Sequence, residues 1–186
     1  NHTSQESVFS LTEKTQWRWL AQMKNMGMTS QQAELALPVA IKAIENWAGN
    51  GELNRLIAQA SHSRGALYCE YELSSLSRGE LSRGELSKER GLKGLVRKAI
   101  LDCLFVDDNG NQWVLDYKVI VDESKIKEAI KTYRPQLEDY AQLVSSQQGR
   151  ARQESQKDRS ITCVLYFPVT DYWHEWKYTS ISSEKV

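Results

Sequence analysis

The chain is predicted to be an α/β protein: a mixed central sheet flanked by helices, with a helical region ahead of it. Three observations lead there. Helical periodicity governs residues 12–60, three strand-like runs follow at 67–73, 100–106 and 113–121, and a helical stretch separates these from two more strand-like runs. An order of helices, three strands, helix, strand, strand indicates a mixed sheet covered by helices.

Taken in order, residues 1–11 are polar and carry no periodic pattern. Thr12 is the expected N-cap of a first helix, whose Trp17, Leu20, Met23 and Met26 recur at helical spacing and are expected in the core, with Gly27 as the stop. Thr29 or Ser30 then caps a short helix through Ala36. Pro38, suited to a first turn, opens another that runs to Gly49-Asn50-Gly51, and Glu52–Ala60 is a further short helical piece.

Leu67–Leu73 reads as the first strand, with Tyr68, Glu70 and Glu72 on one face and Leu67, Cys69, Tyr71 and Leu73 on the other. Residues 74–92, holding the short repeat Ser-Arg-Gly-Glu-Leu twice, are expected to be an extended loop. Two copies of five residues are too few for a repeat architecture. After the central hairpin, a helix starts at Asp122 or Ser124 and runs through Lys131. Pro135 is expected to break it and restart a second helix through Ser146. Residues 147–159 form a polar loop, Ile161–Phe167 is an apolar interior strand bounded by Pro168, and Trp173–Ile181 is an edge strand in which His174 is structural or exposed.

Composition narrows the classes. The 186 residues suit one domain with a sizeable core, and 40% hydrophobic with 26% charged residues is ordinary for a soluble globular protein. Formal net charge is zero, so any contact with a polyanion must rest on local basic clusters. No apolar run approaches the roughly 20 residues needed to span a bilayer, and no secretory signal opens the sequence, so a cytoplasmic protein without membrane contact is expected. Cys69, Cys103 and Cys163 lie too far apart for a zinc or iron–sulfur pattern and read as buried free thiols.

Chemistry concentrates in Ile100–Val106, the turn at 107–112, and Trp113–Val119. Asp102, Asp116 and Lys118 interrupt runs that otherwise read as buried strand, and buried charges are normally paired or hold a metal. Asp116 and Lys118 are two apart and share a face. The turn decides whether Asp102 joins them. A loop of Asp108-Asn109-Gly110 places Asp102 opposite Asp116, and a loop of Asn109-Gly110-Asn111 places it opposite Lys118. A two-residue Asn109-Gly110 turn sends it to the other face. Two carboxylates and an ammonium on one face suit a hard divalent cation acting on a phosphate. The plainer reading is a buried Asp–Lys ion pair with Asp102 at a strand edge. From Arg78 to Lys98 seven basic residues face three acidic ones, a rim able to hold a phosphate backbone if it is more than solvated surface.

Taken as a set, these residues resemble the PD-(D/E)xK nuclease superfamily, and within it the RecB and AddA type nuclease domains of UvrD/Rep-like helicase-nucleases. The likeness runs over about residues 12–168 and rests on Glu70 on an early strand, Asp102, the run Asp116-Tyr117-Lys118, and Tyr133, Gln136 and Tyr140 at the spacing Tyr-x-x-Gln-x-x-x-Tyr. It implies a restriction-endonuclease-like fold and a single nuclease domain over 1–186, with a helical subregion at 12–60 and a catalytic core at 66–182, carried at the C-terminus of a larger helicase-nuclease. The implied activity is Mg²⁺- or Mn²⁺-dependent exonuclease cleavage of DNA in double-strand-break repair and recombination.

The resemblance also implies roles. Asp102, Asp116 and the Tyr117 carbonyl bind the metal, Lys118 positions the attacking water, and Glu70 supports the metal or its water. Tyr133, Gln136 and Tyr140 contact DNA or brace the site. The implied partners are DNA, a helicase domain of the same polypeptide and a second helicase-nuclease subunit. Two positions depart from the pattern: Ala99 stands where the family has glycine, and only His2 lies near the place of the family's metal-binding histidine. A catalytically silent nuclease-fold domain that binds DNA or a partner is the competing expectation. A carboxylate-pair glycosidase fits less well, because it leaves Lys118 without a role.

Overall fold

The chain enters through two helices that each begin at a threonine. Thr12 accepts from the Thr15 N–H at the start of α1 (Glu13–Asn25), and Thr29 closes a reciprocal capping box with Gln32 at the start of α2 (Ser30–Gly49). Asn50 ends α2 and caps α3 (Gly51–Ala60), accepting from the Leu53 N–H at 2.9 Å. The computed structural model describes residues 12–62, 65–77, 95–148 and 159–179. Residues 1–11, most of the doubled Ser-Arg-Gly-Glu-Leu segment with its basic rim, and most of the polar loop before residue 159 lie outside that description, and so does His2.

Five strands follow: β1 (Ala66–Ser77), β2 (Leu95–Val106), β3 (Gln112–Tyr117), β4 (Ile161–Phe167) and β5 (Tyr172–Lys177), hydrogen-bonded in that order. β1–β2, β2–β3 and β4–β5 are antiparallel, whereas β3 and β4 are parallel. Parallel neighbours need a crossover, supplied here by α4 (Ile126–Gln148) after the short turn Glu123–Lys125 that Asp122 caps. The mixed sheet with flanking helices and a helical N-terminal region is the α/β class expected from the sequence.

Each face of the sheet has its own core. On one, Ile126, Ala129, Leu137, Ala141 and Val144 of α4 meet Leu73, Leu101, Leu104, Val114, Cys163, Leu165 and Phe167. On the other, Leu53, Leu56 and Ala60 of α3 meet Cys103, Phe105, Leu115 and Val164. β4 lies between both cores, and all seven of its residues are buried. Among the described residues no helix is long and apolar enough to cross a membrane.

Several expectations are corrected. The first helix contributes no buried residue, and Trp17 is 71% exposed, because α1 packs chiefly against α2 and does not reach the sheet. Pro38 and Pro135 each lie inside one continuous helix, not between two. A proline removes a single N–H from the ladder, and helices of 20 and 23 residues with packed faces absorb that loss. The strand after the hairpin stops at Tyr117 instead of Val121. Its partner β4 ends at Phe167, and beyond the last shared bond, Lys118 N–H to the Tyr166 carbonyl, Val119 and Val121 are exposed.

The even alternation expected along β1 also fails. Glu70 has φ +49°, and the ladder passes from Cys69↔Cys103 to Tyr71↔Leu101 over Glu70 and Asp102. This kink moves Tyr71 and Leu73 to the α4 core, while Cys69 touches Cys103 of the α3 core.

Candidate functional site

The hairpin turn fixes the register. Asp107 N–H bonds to the Asn111 carbonyl and Gly110 N–H to the Asp107 carbonyl, so the loop is Asp108-Asn109-Gly110. Gly110 supplies φ +80°, which a side chain would strain, and a Cβ there would sit 2.6 Å from Arg159 Nε. The pairs Val106↔Gln112 through Cys103↔Leu115 follow, and the next step along the same register sets Asp102 opposite Asp116. This is the first of the three registers weighed from the sequence.

Asp116 lies on the α4 face, two residues from Val114 of the α4 core, and Asp102 stands close enough to act on its carboxyl, at the point where β2 leaves even alternation and Leu101 also turns to that core. The regular ladder ends at Cys103↔Leu115, and the side chain of Asp102 takes over from the departing strand. Its Oδ2 accepts from the Tyr117 N–H at 2.9 Å. That bond holds the Asp102 carboxylate beside β3, one residue from Asp116.

Asp116 is only 4% exposed, and its buried Oδ2 is the oxygen that pairs with the Lys118 ammonium. Burial pushes its carboxyl above the usual carboxylate range. Lys118 opposes the shift, and the neighbouring Asp102 adds to it. The Lys118 ammonium lies 4.7 Å from the centre of the Tyr133 ring, so α4 roofs the ion pair with an aromatic face.

The remaining predicted residues fall into place unevenly. Glu70 occupies the register position opposite Asp102, so the three acidic positions fall on one line across β1, β2 and β3, but its left-handed backbone turns β1 at that point. Tyr117 directs its ring to the opposite face, where its hydroxyl accepts from Trp47 Nε1 at 3.3 Å and lies 3.5 Å from Cys103 Sγ. Gln136 donates to the Tyr140 hydroxyl at 2.6 Å, and with Tyr133 they occupy positions i, i+3 and i+7 of α4. Tyr133 and Tyr140 also pack on the α4 core, so only Tyr133 is brought against the charged group itself.

The sequence reading missed three features. It left Asp107 in a generic polar turn, although Asp107 is buried and accepts from Asn109 N–H, Asn111 N–H and Asn111 Nδ2. The Asx signature of an Asp before Asn-Gly was the available signal. Trp47, on α2, donates to the Tyr117 hydroxyl, a contact that no motif in the sequence announces. Cys69, expected buried, is exposed, with its sulfur 3.5 Å from Cys103 Sγ.

The donor set fits a hard divalent cation in kind: two neighbouring carboxylates, one of them buried and offset by a single ammonium, and the Tyr117 carbonyl in the chain between Asp116 and Lys118. A cation there would remove the penalty that burial and the second carboxylate impose on Asp116. Among the described residues no group of three or more His, Cys, Asp or Glu side chains is arranged to hold a metal. No protein-family model matches the chain, and no curated protein matches it.

Proposed function

We propose that the chain is a metal-dependent deoxyribonuclease domain of the PD-(D/E)xK type with a restriction-endonuclease-like core, hydrolysing DNA phosphodiester bonds as an exonuclease. The observation that supports this most is the meeting of Asp102, Asp116 and Lys118 at one end of the hairpin, in the chain order of the RecB-like signature. On this reading the domain serves an ATP-dependent helicase-nuclease in double-strand-break repair in the cytoplasm, with DNA, a motor domain and a second subunit as partners.

Hydrolysis needs an in-line water and neutralisation of charge on the phosphate oxygens. Asp102 and Asp116 would hold Mg²⁺ or Mn²⁺ with the Tyr117 carbonyl, and the bound ion supplies Lewis-acid stabilisation of the phosphate. Tyr117 N–H orients Asp102 by fixing one of its oxygens. Lys118, beside Asp116 and under the Tyr133 ring, would hold the attacking water or the developing phosphate charge. Tyr133 limits where the ammonium can move. Glu70, opposite Asp102 in register, can orient the water from β1.

The test is cleavage of linear DNA in Mg²⁺. The parent should cut, and Asp116→Ala and Lys118→Ala should each lose cleavage while remaining folded. Near-parental activity in either variant contradicts the assignment. A second reading, a silent nuclease-fold domain that binds DNA or a partner, draws on the closed Asp116–Lys118 pair. It predicts DNA binding without any metal requirement.

A further inference from the structure

We propose that Cys69 and Cys103 are a reversible modification site, a cross-strand thiol pair that a hydroperoxide converts to a disulfide clamping β1 to β2 beside the acidic residues. The two cysteines are directly opposed in the antiparallel ladder, and their sulfurs already stand 3.5 Å apart. Directly opposed residues have Cα atoms about 4.5–5.5 Å apart, inside the roughly 4.4–6.8 Å range of disulfides. Closing the bond therefore needs side-chain rotation and no movement of the strands.

The pair is asymmetric in the way a peroxide-reactive site needs. Cys69 is exposed and meets the oxidant first, whereas Cys103 is buried and serves as the resolving thiol. The third thiol, Cys163, is buried on the other face of the sheet with its sulfur 3.7 Å from the Leu137 carbonyl, and cannot substitute. In the first step the Cys69 sulfur attacks one peroxide oxygen. An S–O bond forms, the O–O bond breaks, and water leaves with the thiol proton. In the second the Cys103 sulfur attacks the Cys69 sulfenic acid. The S–S bond forms, the S–O bond breaks and a second water leaves. Two thiols lose two hydrogens, and one hydrogen peroxide becomes two waters. A dithiol reverses the change.

The location gives the bond a consequence. Glu70 follows Cys69, Asp102 precedes Cys103, and the ladder steps over that acidic pair. Cys103 also touches the hydroxyl of Tyr117, whose N–H holds Asp102. A disulfide would fix the kinked junction and withdraw the sulfur from Tyr117.

The test is intact-mass and thiol analysis of the full chain after brief treatment with hydrogen peroxide. The proposal expects a loss of about 2 Da, a fall in alkylatable thiols from three to one, and a peptide linking 69 to 103, all reversed by dithiothreitol. Cys163→Ser should still lose the mass, and the conservative surface variant Cys69→Ser should not. A link through Cys163, a bond only between chains, or overoxidised Cys69 with Cys103 still alkylatable overturns it. None of these readouts depends on nuclease activity, so they stand apart from the test of the catalytic reading.

Discussion

Two buried aspartates on the same hairpin differ in how the fold treats them. At the turn, Asp107 accepts three hydrogen bonds from two residues of its own loop, and both of its oxygens are used. At the other end, Asp116 is at least as buried, pairs through Oδ2 with one lysine, and faces a second carboxylate. Burial alone therefore does not mark a functional acid. The two differ in the kind of compensation: fixed donors of its own loop satisfy Asp107, whereas a single ammonium offsets burial and a neighbouring carboxylate at Asp116, an arrangement that a bound cation would relieve.

The contrast can be broken most sharply by activity. Removing Asp116 or Lys118 as alanine should lower DNA cleavage by about 100-fold or more, the scale of losing a group aimed at the reacting charge. Asp107→Asn, assayed alongside, should leave cleavage near parental. Equal losses at both ends of the hairpin would erase the distinction.

Stability should show the reverse pattern. Asp107→Ala orphans the Asn109 and Asn111 donors, which should cost about 1–3 kcal/mol, and thermal denaturation should place its midpoint roughly 2–4 °C lower for each kcal/mol lost. Gly110→Ala, which forces a side chain to φ +80°, should cost about 1–2 kcal/mol and lower cleavage only if the register slips.

The smallest effect sharpens the comparison through pH. The folded Asp116 carboxyl lies above its ordinary 3.8, so the stability it contributes is full below that value and is lost as pH rises through the raised one. Asp116→Asn should therefore unfold at an equal or slightly higher temperature than the parent at pH 7, and the advantage should vanish in acid. A variant destabilised at pH 7 would mean that the Lys118 pair outweighs burial.

Much of this was legible in sequence, for specific reasons. Asp108-Asn109-Gly110 encodes its own turn, and once Gly110 takes the left-handed position the period of two delivers Asp102 to Asp116. The apolar run of β4 announced an interior strand because both of its faces are covered. Where local rules met tertiary packing, they failed. Pro38 and Pro135 are helix breakers only in helices that lack other support. The periodic apolar residues of α1 found no sheet to cover. Glu70 carries no glycine-like signal for a left-handed backbone, so neither the kink in β1 nor the meeting of Cys69 with Cys103 could be read from alternation.

If Asp102 and Asp116 together hold a divalent cation, calorimetric titration of the purified chain with Mn²⁺ should register binding that Asp102→Asn and Asp116→Asn each weaken by about 10-fold or more and that Asp107→Asn leaves intact. Binding of equal strength in all four proteins, or none in the parent, would contradict it.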